Sequence, residues 1–218
     1  MAYGNGTFVA VGDAGTIRTS WSGESWGWLR VYSPTSAWLL GVTYGNRLFV
    51  AVGWDGTILT SPDGVNWTQR TSGTSNSLSG VTYGNGLFVV VGQNGTILTS
   101  LNGATWTQRT SPTSRHLHGV TYANGTFVAV GDSGTILTSP DGVNWTQRTS
   151  GMSNWLYGVA YGNGLFVAVG SGGTILTSPD GVNWTQRTSP TTEWLYGVTY
   201  GNGTFVAVGN RGTILTSP

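Results

Sequence analysis

The apolar positions of this chain fall in short runs separated by turn residues, and the runs recur in a fixed order. Over residues 117–149 the order is Leu-His-Gly-Val-Thr-Tyr, Thr-Phe-Val-Ala-Val-Gly, Gly-Thr-Ile-Leu-Thr-Ser and Asn-Trp-Thr-Gln-Arg-Thr. No segment spaces its apolar residues at 3.6, so no helix of any length is expected. The second run is apolar at successive positions (Phe127, Val128, Ala129, Val130), as in a strand covered on both faces. The fourth alternates, with Trp145 and Gln147 to one side and Thr146 and Arg148 to the other, as in the solvated edge of a sheet.

The residues between the runs are turn formers. Asn85-Gly86, Asn124-Gly125, Asn163-Gly164 and Asn202-Gly203 separate first from second runs. Asn-Gly tolerates positive φ at both positions, which a tight hairpin demands. Asp132-Ser133-Gly134 separates the second run from the third, and Pro140-Asp141-Gly142 the third from the fourth. The four-run unit then repeats. Gly-Thr-Ile begins at Gly15, Gly56, Gly95, Gly134, Gly173 and Gly212, 39 residues apart except for 41 between the first two. Four antiparallel strands in a period of about 40 residues describe one blade of a β-propeller.

The expected fold is therefore all-β: a six-bladed β-propeller of four-stranded antiparallel blades. It is expected as a single domain over residues 1–218, in units of approximately 1–36, 37–75, 76–114, 115–153, 154–192 and 193–218. The last unit reads Gly-Thr-Ile-Leu-Thr-Ser-Pro without a fourth run, so the last blade is expected to lack its outer strand. That leaves the edge at Gly212–Ser217 open to pairing with a second copy, a possible homo-oligomer. Arg18 stands where the other units have Leu59, Leu98, Leu137, Leu176 and Leu215. An incomplete neighbouring blade or drift in a terminal unit accounts for it equally well.

The corner between third and fourth runs carries a resemblance. Ser61-Pro62-Asp63-Gly64-Val65-Asn66-Trp67 resembles the Asp-box of sialidase-type (BNR) propeller repeats, as do Ser139–Trp145 and Ser178–Trp184. The version here is one residue shorter between Asp and Trp, and Asn102 and Ser22 replace the Asp in two units. The resemblance implies a turn whose Asp satisfies backbone amides and whose Trp packs between sheets. It concerns fold, not activity. Sialidase-type catalysis would need three Arg around a carboxylate and a Tyr nucleophile, and no residue of that set carries over. Arg70, Arg109, Arg148 and Arg187 fall in the fourth run, on an expected solvated outer rim where Asp63, Asp141 and Asp180 nearby are their expected partners. No enzyme is expected.

Composition narrows the partners. Charged residues make up 8%, Lys is absent and the net charge is +1, too little to hold a phosphate backbone, so no nucleic acid is expected. Cys is absent, so neither disulfides nor thiolate metal sites arise. No apolar run reaches the length of a membrane helix, and no membrane association is expected. The opening Met-Ala-Tyr-Gly-Asn-Gly-Thr-Phe has neither a basic region nor an apolar core, so no secretion signal is expected. The compartment is left unknown, with an extracellular one favoured.

Comparing the units with each other locates the chemistry. Connections in an up-and-down blade alternate between the two ends of the sheet. The loop joining blades and the corner between second and third runs therefore share one end. Both vary from unit to unit, while the Asn-Gly turns at the other end hardly change. The expected ligand-binding residues are Trp38, Trp54, Arg115, His116, His118, Trp155, Tyr157, Glu193, Trp194 and Tyr196. Flat rings beside amides and carboxylates suit a sugar, and aromatic anchors suit protein interfaces. The leading expectation is a non-enzymatic propeller that binds a glycan. The alternatives are a protein-interaction module on the same face, or an amplified or designed repeat without a specific ligand. His116 and His118, two residues apart with Asp132 following, have the chemistry of metal ligands. They fall short of the three protein ligands such a site wants, so no metal and no cofactor is expected.

Overall fold

The structure is a computed structural model that describes residues 1–24 and 27–217. It is all-β: six antiparallel sheets that are the blades of a β-propeller, five with four strands and the last with three. Among the described residues the only helical segments are single 3-10 turns at the corner between second and third strands. Each sheet is a simple meander with strands in chain order.

The first unit, Met1–Arg109, holds three blades. Their strands are Ala2–Gly4, Thr7–Val11, Ile17–Ser20 and Leu29–Arg30; Leu39–Gly45, Leu48–Gly53, Ile58–Ser61 and Thr68–Arg70; Leu78–Gly84, Leu87–Gly92, Ile97–Ser100 and Thr107–Gln108. The second unit, Thr110–Pro218, holds the other three. Their strands are Leu117–Ala123, Thr126–Gly131, Ile136–Ser139 and Thr146–Arg148; Leu156–Gly162, Leu165–Gly170, Ile175–Ser178 and Thr185–Arg187; Leu195–Gly201, Thr204–Gly209 and Ile214–Ser217.

The second strand is covered on both faces because it lies between two neighbouring blades. In the first unit Phe49 and Ala51 pack toward Val9 and Ile17 of the first blade. Val50 and Val52, pointing the other way, pack with Leu78, Phe88 and Leu98 of the third. The second unit repeats this, with Val128, Val130 and Ile136 against Phe166, Ala168 and Leu176. Each fully buried Phe or Val removes an apolar side chain from water, worth about 1.5–3 kcal/mol. This packing between sheets, more than any single bond, holds the blades together.

The hairpins follow from their turn residues. Asn85, Asn124, Asn163 and Asn202 have φ of 48°, 49°, 46° and 48°, and the Gly after each lies between 73° and 78°. In the second blade Arg47 replaces the Gly and is held at φ 59°.

At the opposite corner of the same end, Ser61 Oγ accepts from the Gly64 N–H at 2.8 Å. Asp63 Oδ1 accepts from the N–H groups of Val65 and Asn66 at 2.9 and 2.8 Å. The Trp67 indole donates to the Gly64 carbonyl at 3.1 Å. The fourth and fifth blades repeat these contacts. In the third blade Asn102 Oδ1 accepts the same two backbone bonds, so the turn needs a side-chain oxygen and not a charge.

The rim arginines pair differently from the expectation. Arg70, Arg109, Arg148 and Arg187 donate through Nε to Thr60, Thr99, Thr138 and Thr177 at 2.8–2.9 Å, not to the corner aspartates. Register explains this. Arg70 lies opposite Ile58, one same-face step from Thr60 on the third strand. In the first blade Val31 takes the place of the arginine, its N–H bonding the Ile17 carbonyl. Thr19 Oγ1 is accordingly a buried hydroxyl with no partner among the described residues. Arg18 is exposed, whereas Leu59, Leu98, Leu137 and Leu176 at its position are fully buried.

Candidate functional site

In every blade from the second to the sixth, the two variable loops are joined by one backbone bond. The carbonyl of Trp38 accepts from the Trp54 N–H, that of Ser77 from Gln93, His116 from Asp132, Trp155 from Ser171 and Trp194 from Asn210, at 2.8–2.9 Å. The variable residues thus sit side by side at one end of each blade. The glycines flanking the corner let the loops close on it. A Cβ on Gly53 would collide with the Trp38 carbonyl oxygen, and one on Gly134 with that of Met152.

The first strand adds a device that the sequence does not announce. Leu117 pairs with Gly131 and Gly119 with Val130, so His118 is an extra residue, a β-bulge. Leu40, Ser79, Tyr157 and Tyr196 occupy the same bulge in their blades. A bulge re-aims the side chain it carries. The chain therefore places a different residue on a repeated aiming device in each blade. Only a doubled variable position two residues apart (Trp38 and Leu40, His116 and His118, Trp155 and Tyr157) hints at it in sequence.

In the second unit these positions form a continuous row of rings. His116 and His118 stack at 4.3 Å between centroids. His118 lies 5.0 Å from Tyr157, which lies 5.9 Å from Trp194 and 5.2 Å from Tyr196. Trp155 lies 6.4 Å from both His118 and Tyr157. Trp155, Trp194 and Tyr196 are nonetheless 45, 43 and 47% exposed. A shallow pocket of about 310 Å³ opens between Trp155 and Trp194, lined also by Ser153, Asn154 and Ser171.

Polar groups fix the row. His118 Nε2 is 2.7 Å from Asp132 Oδ1. Asn154 Nδ2 donates to Thr174 Oγ1 at 2.8 Å, and the Trp155 N–H to Ser171 Oγ at 3.0 Å. Glu193 Oε1 accepts from Arg211 Nη1 at 3.3 Å, an exposed pair of little energetic weight. Arg115 is exposed, its N–H bonded to Thr113 Oγ1. Burial and the neighbouring His118 push the His116 pKa down, against the pull of Asp132. Burial raises the Tyr157 pKa, helped by Tyr196 and Asp132. Asp132, Asn154, Ser171 and Arg211 belong to the site and are absent from the expected set. They stand in the same variable corners and loops, which was the available signal.

In the first unit Trp38 and Trp54 stack at 4.6 Å with an interplanar angle of 11°. Beside them in the third blade is a polar counterpart, in which Asn76 bonds Thr96 Oγ1 and Asn94. Eight of the ten expected residues thus divide into a tryptophan pair in the first unit and an aromatic row in the second, and the other two, Arg115 and Glu193, are polar groups of the second unit outside the row. A further cavity of about 470 Å³ lies elsewhere, between the fifth and sixth blades. Among the described residues no group of three or more His, Asp, Glu or Cys could hold a metal ion, and no helix is long and apolar enough to cross a membrane.

Comparison with known proteins agrees with this architecture. Residues 78–169 match the family model described as the DUF6242 beta propeller domain. No curated protein sequence matches the chain. Among solved structures, the chain is similar to YCF48 from Cyanidioschyzon merolae (TM-score 0.74, 18% identity, covering 99% of this chain and 80% of that one). It is similar also to YCF48 bound to D1 peptide (TM-score 0.68, 21% identity, 85% and 64%). A third is the computationally designed Ika8 protein (TM-score 0.73, 14% identity, 99% and 69%). At these identities the likeness is one of fold. The corner motif remains a resemblance to sialidase-type repeats, and what the comparisons support is the β-propeller itself.

Proposed function

We propose that this protein is a non-enzymatic, protein-binding β-propeller that captures an extended peptide segment on its variable end. The observation that carries the reading is the row from His116 to Tyr196, in which large rings are held by neighbours yet remain exposed. Tyr and Trp provide contact area at low conformational cost, which is why they dominate binding hot spots. The bulge and the carbonyl bond between loops hold these rings before any ligand arrives, which lowers the ordering cost of binding. A propeller of similar fold, YCF48, has been solved bound to D1 peptide.

A glycan is the second reading. It is favoured by the pocket between Trp155 and Trp194, where two rings border Ser153, Asn154 and Ser171. Screening the protein and its Trp155→Ala, Trp194→Ala double variant against a peptide library and a glycan array tests both readings. Peptide capture lost in the double variant supports the first. Glycan capture lost in the same way replaces it with the second. Capture unaffected by the double substitution removes the site.

A further inference from the structure

We propose that the segment captured by the aromatic row is a proline-rich stretch in the polyproline II conformation, with an acidic residue flanking the prolines. This names the partner of the row and rests on the peptide-binding reading of it. Spacing is the first argument. Tyr157 and Tyr196 touch, with centroids 5.2 Å apart. Trp155 and Trp194 stand apart across the pocket of about 310 Å³, with centroids 6.4 and 5.9 Å from that of Tyr157. They are equivalent positions of adjacent blades, and packed sheets repeat at about 10 Å. A polyproline II segment returns to the same face every third residue, a rise of about 9 Å. A β-strand returns to it after two residues, or about 7 Å, and falls out of step with the two indoles.

Hydrogen-bonding capacity is the second argument. The corner tryptophans Trp145 and Trp184 donate their indole N–H to a carbonyl of their own turn. Among the described residues the indole N–H groups of Trp155 and Trp194 and the hydroxyls of Tyr157 and Tyr196 make no such bond. Acceptors beside them are already engaged. Asp132 Oδ1 faces His118, Glu193 Oε1 accepts from Arg211, and Ser171 Oγ accepts from the Trp155 N–H. The row therefore offers donors. A proline-rich segment presents carbonyls without internal hydrogen bonds, and its prolines bring no N–H that would need an acceptor. Asn154 commits Nδ2 to Thr174 Oγ1 and the Ser171 carbonyl, which leaves Oδ1 for an N–H between the prolines. Proline rings also present a hydrocarbon surface to the negative faces of the indoles.

Charge is the third. Asp132 lies against His118 and Glu193 against Arg211. The Arg115 side chain is exposed and has no ionic partner among the described residues. It occupies in the fourth blade the position that Asn154, which lines the pocket, occupies in the fifth. An acidic residue next to the prolines would meet it.

The test titrates the intact protein into fluorescein-labelled Glu-Ala-Pro-Ala-Ala-Pro-Ala-Ala-Pro-Ala-Glu, acidic at both ends so that either chain direction is served. Anisotropy should report saturable binding, weakened at least about tenfold when the prolines are replaced by Ala. Moving the prolines to alternate positions at the same composition should weaken it as well. The Trp155→Ala, Trp194→Ala double variant should lose binding. Because that change removes bulk, Tyr157→Phe with Tyr196→Phe is the second variant, which deletes only hydroxyls and should weaken binding about threefold or more. Arg115→Gln should weaken the acidic probe and leave a probe ending in Gln unaffected. Binding indifferent to proline content or spacing, or binding retained in both double variants, would overturn the proposal. Capture of proline-free library peptides but not of this probe would overturn it too, and would leave the peptide reading standing. Capture of no peptide of any kind would remove that reading itself.

Discussion

His118 Nε2 lies 2.7 Å from Asp132 Oδ1, tying the bulge of the fourth blade to the corner that closes its second strand. His116, stacked on His118, feels both groups: burial and His118 lower its pKa, and Asp132 raises it. Replacing Asp132 with Asn removes the raising influence, so the His116 pKa should fall further. Replacing His118 with Tyr, the residue of the next two blades, should let it rise. Titration of the imidazole signals by NMR checks both directions.

The same shift sets a pH dependence of stability. His116 has a lower pKa folded than unfolded, so the unfolded state binds more protons between the depressed value and about 6.5. Stability should be complete above that range and fall as pH drops through it. Denaturant unfolding at a series of pH values should show the decline. A His116→Asn variant should flatten it.

Acid should act through the corner turns at lower pH. Burial alone would raise the Asp63 pKa. The N–H groups of Asn66 and Val65, with the Asn66 amide and the Ser61 hydroxyl, outweigh it and bring the pKa to about 2. Asp141 and Asp180 are held low by the same contacts. A depressed carboxylate stabilises the fold above its unfolded pKa of about 4 and loses that contribution as pH falls through the folded value. Thermal unfolding should therefore move to lower temperature between about pH 4 and pH 2. Asp63→Asn should keep the turn, as Asn102 does, and lose part of that acid sensitivity.

One substitution should change sign with its blade. Thr19 Oγ1 is buried without a partner among the described residues, whereas Thr138 Oγ1 accepts from Arg148 Nε at 2.8 Å. Thr19→Val should raise stability by about 1 kcal/mol, and Thr138→Val should lower it by a similar amount. Paired denaturant curves decide it. Equal effects at both positions would contradict the role given to the arginine.

The corner glycines should differ from the hairpin glycines. Gly134 has φ 68° and no room for a Cβ beside the Met152 carbonyl, while Gly125 has φ 73° and open space. Gly125→Ala should cost about 1 kcal/mol in backbone strain alone. Gly134→Ala should cost clearly more and loosen the loop through Ser150 and Met152 that leads to Trp155, read out as faster exchange of the Ser171 amide, which bonds the Trp155 carbonyl.

The repeat by itself determined the strands, their order and the blade count. Asn124-Gly125, the apolar run Phe127–Val130 and Trp145 each impose a local conformation or a burial that leaves little choice, and they recur in nearly every unit. It also determined that Trp155, Tyr157, Trp194 and Tyr196 share one end, because hairpin connections alternate between ends. Tertiary structure decided what periodicity cannot carry. A bulge at His118 breaks the two-residue period, so the direction of that side chain follows from pairing with Gly131 and Val130 and not from spacing. Register across strands sent Arg148 to Thr138 and away from Asp141. Trp184, on the corner leading into its blade's fourth strand, covers the seam between Val128 and Val130 of the fourth blade and Phe166 of the fifth, a relationship between sheets that no single unit of sequence contains.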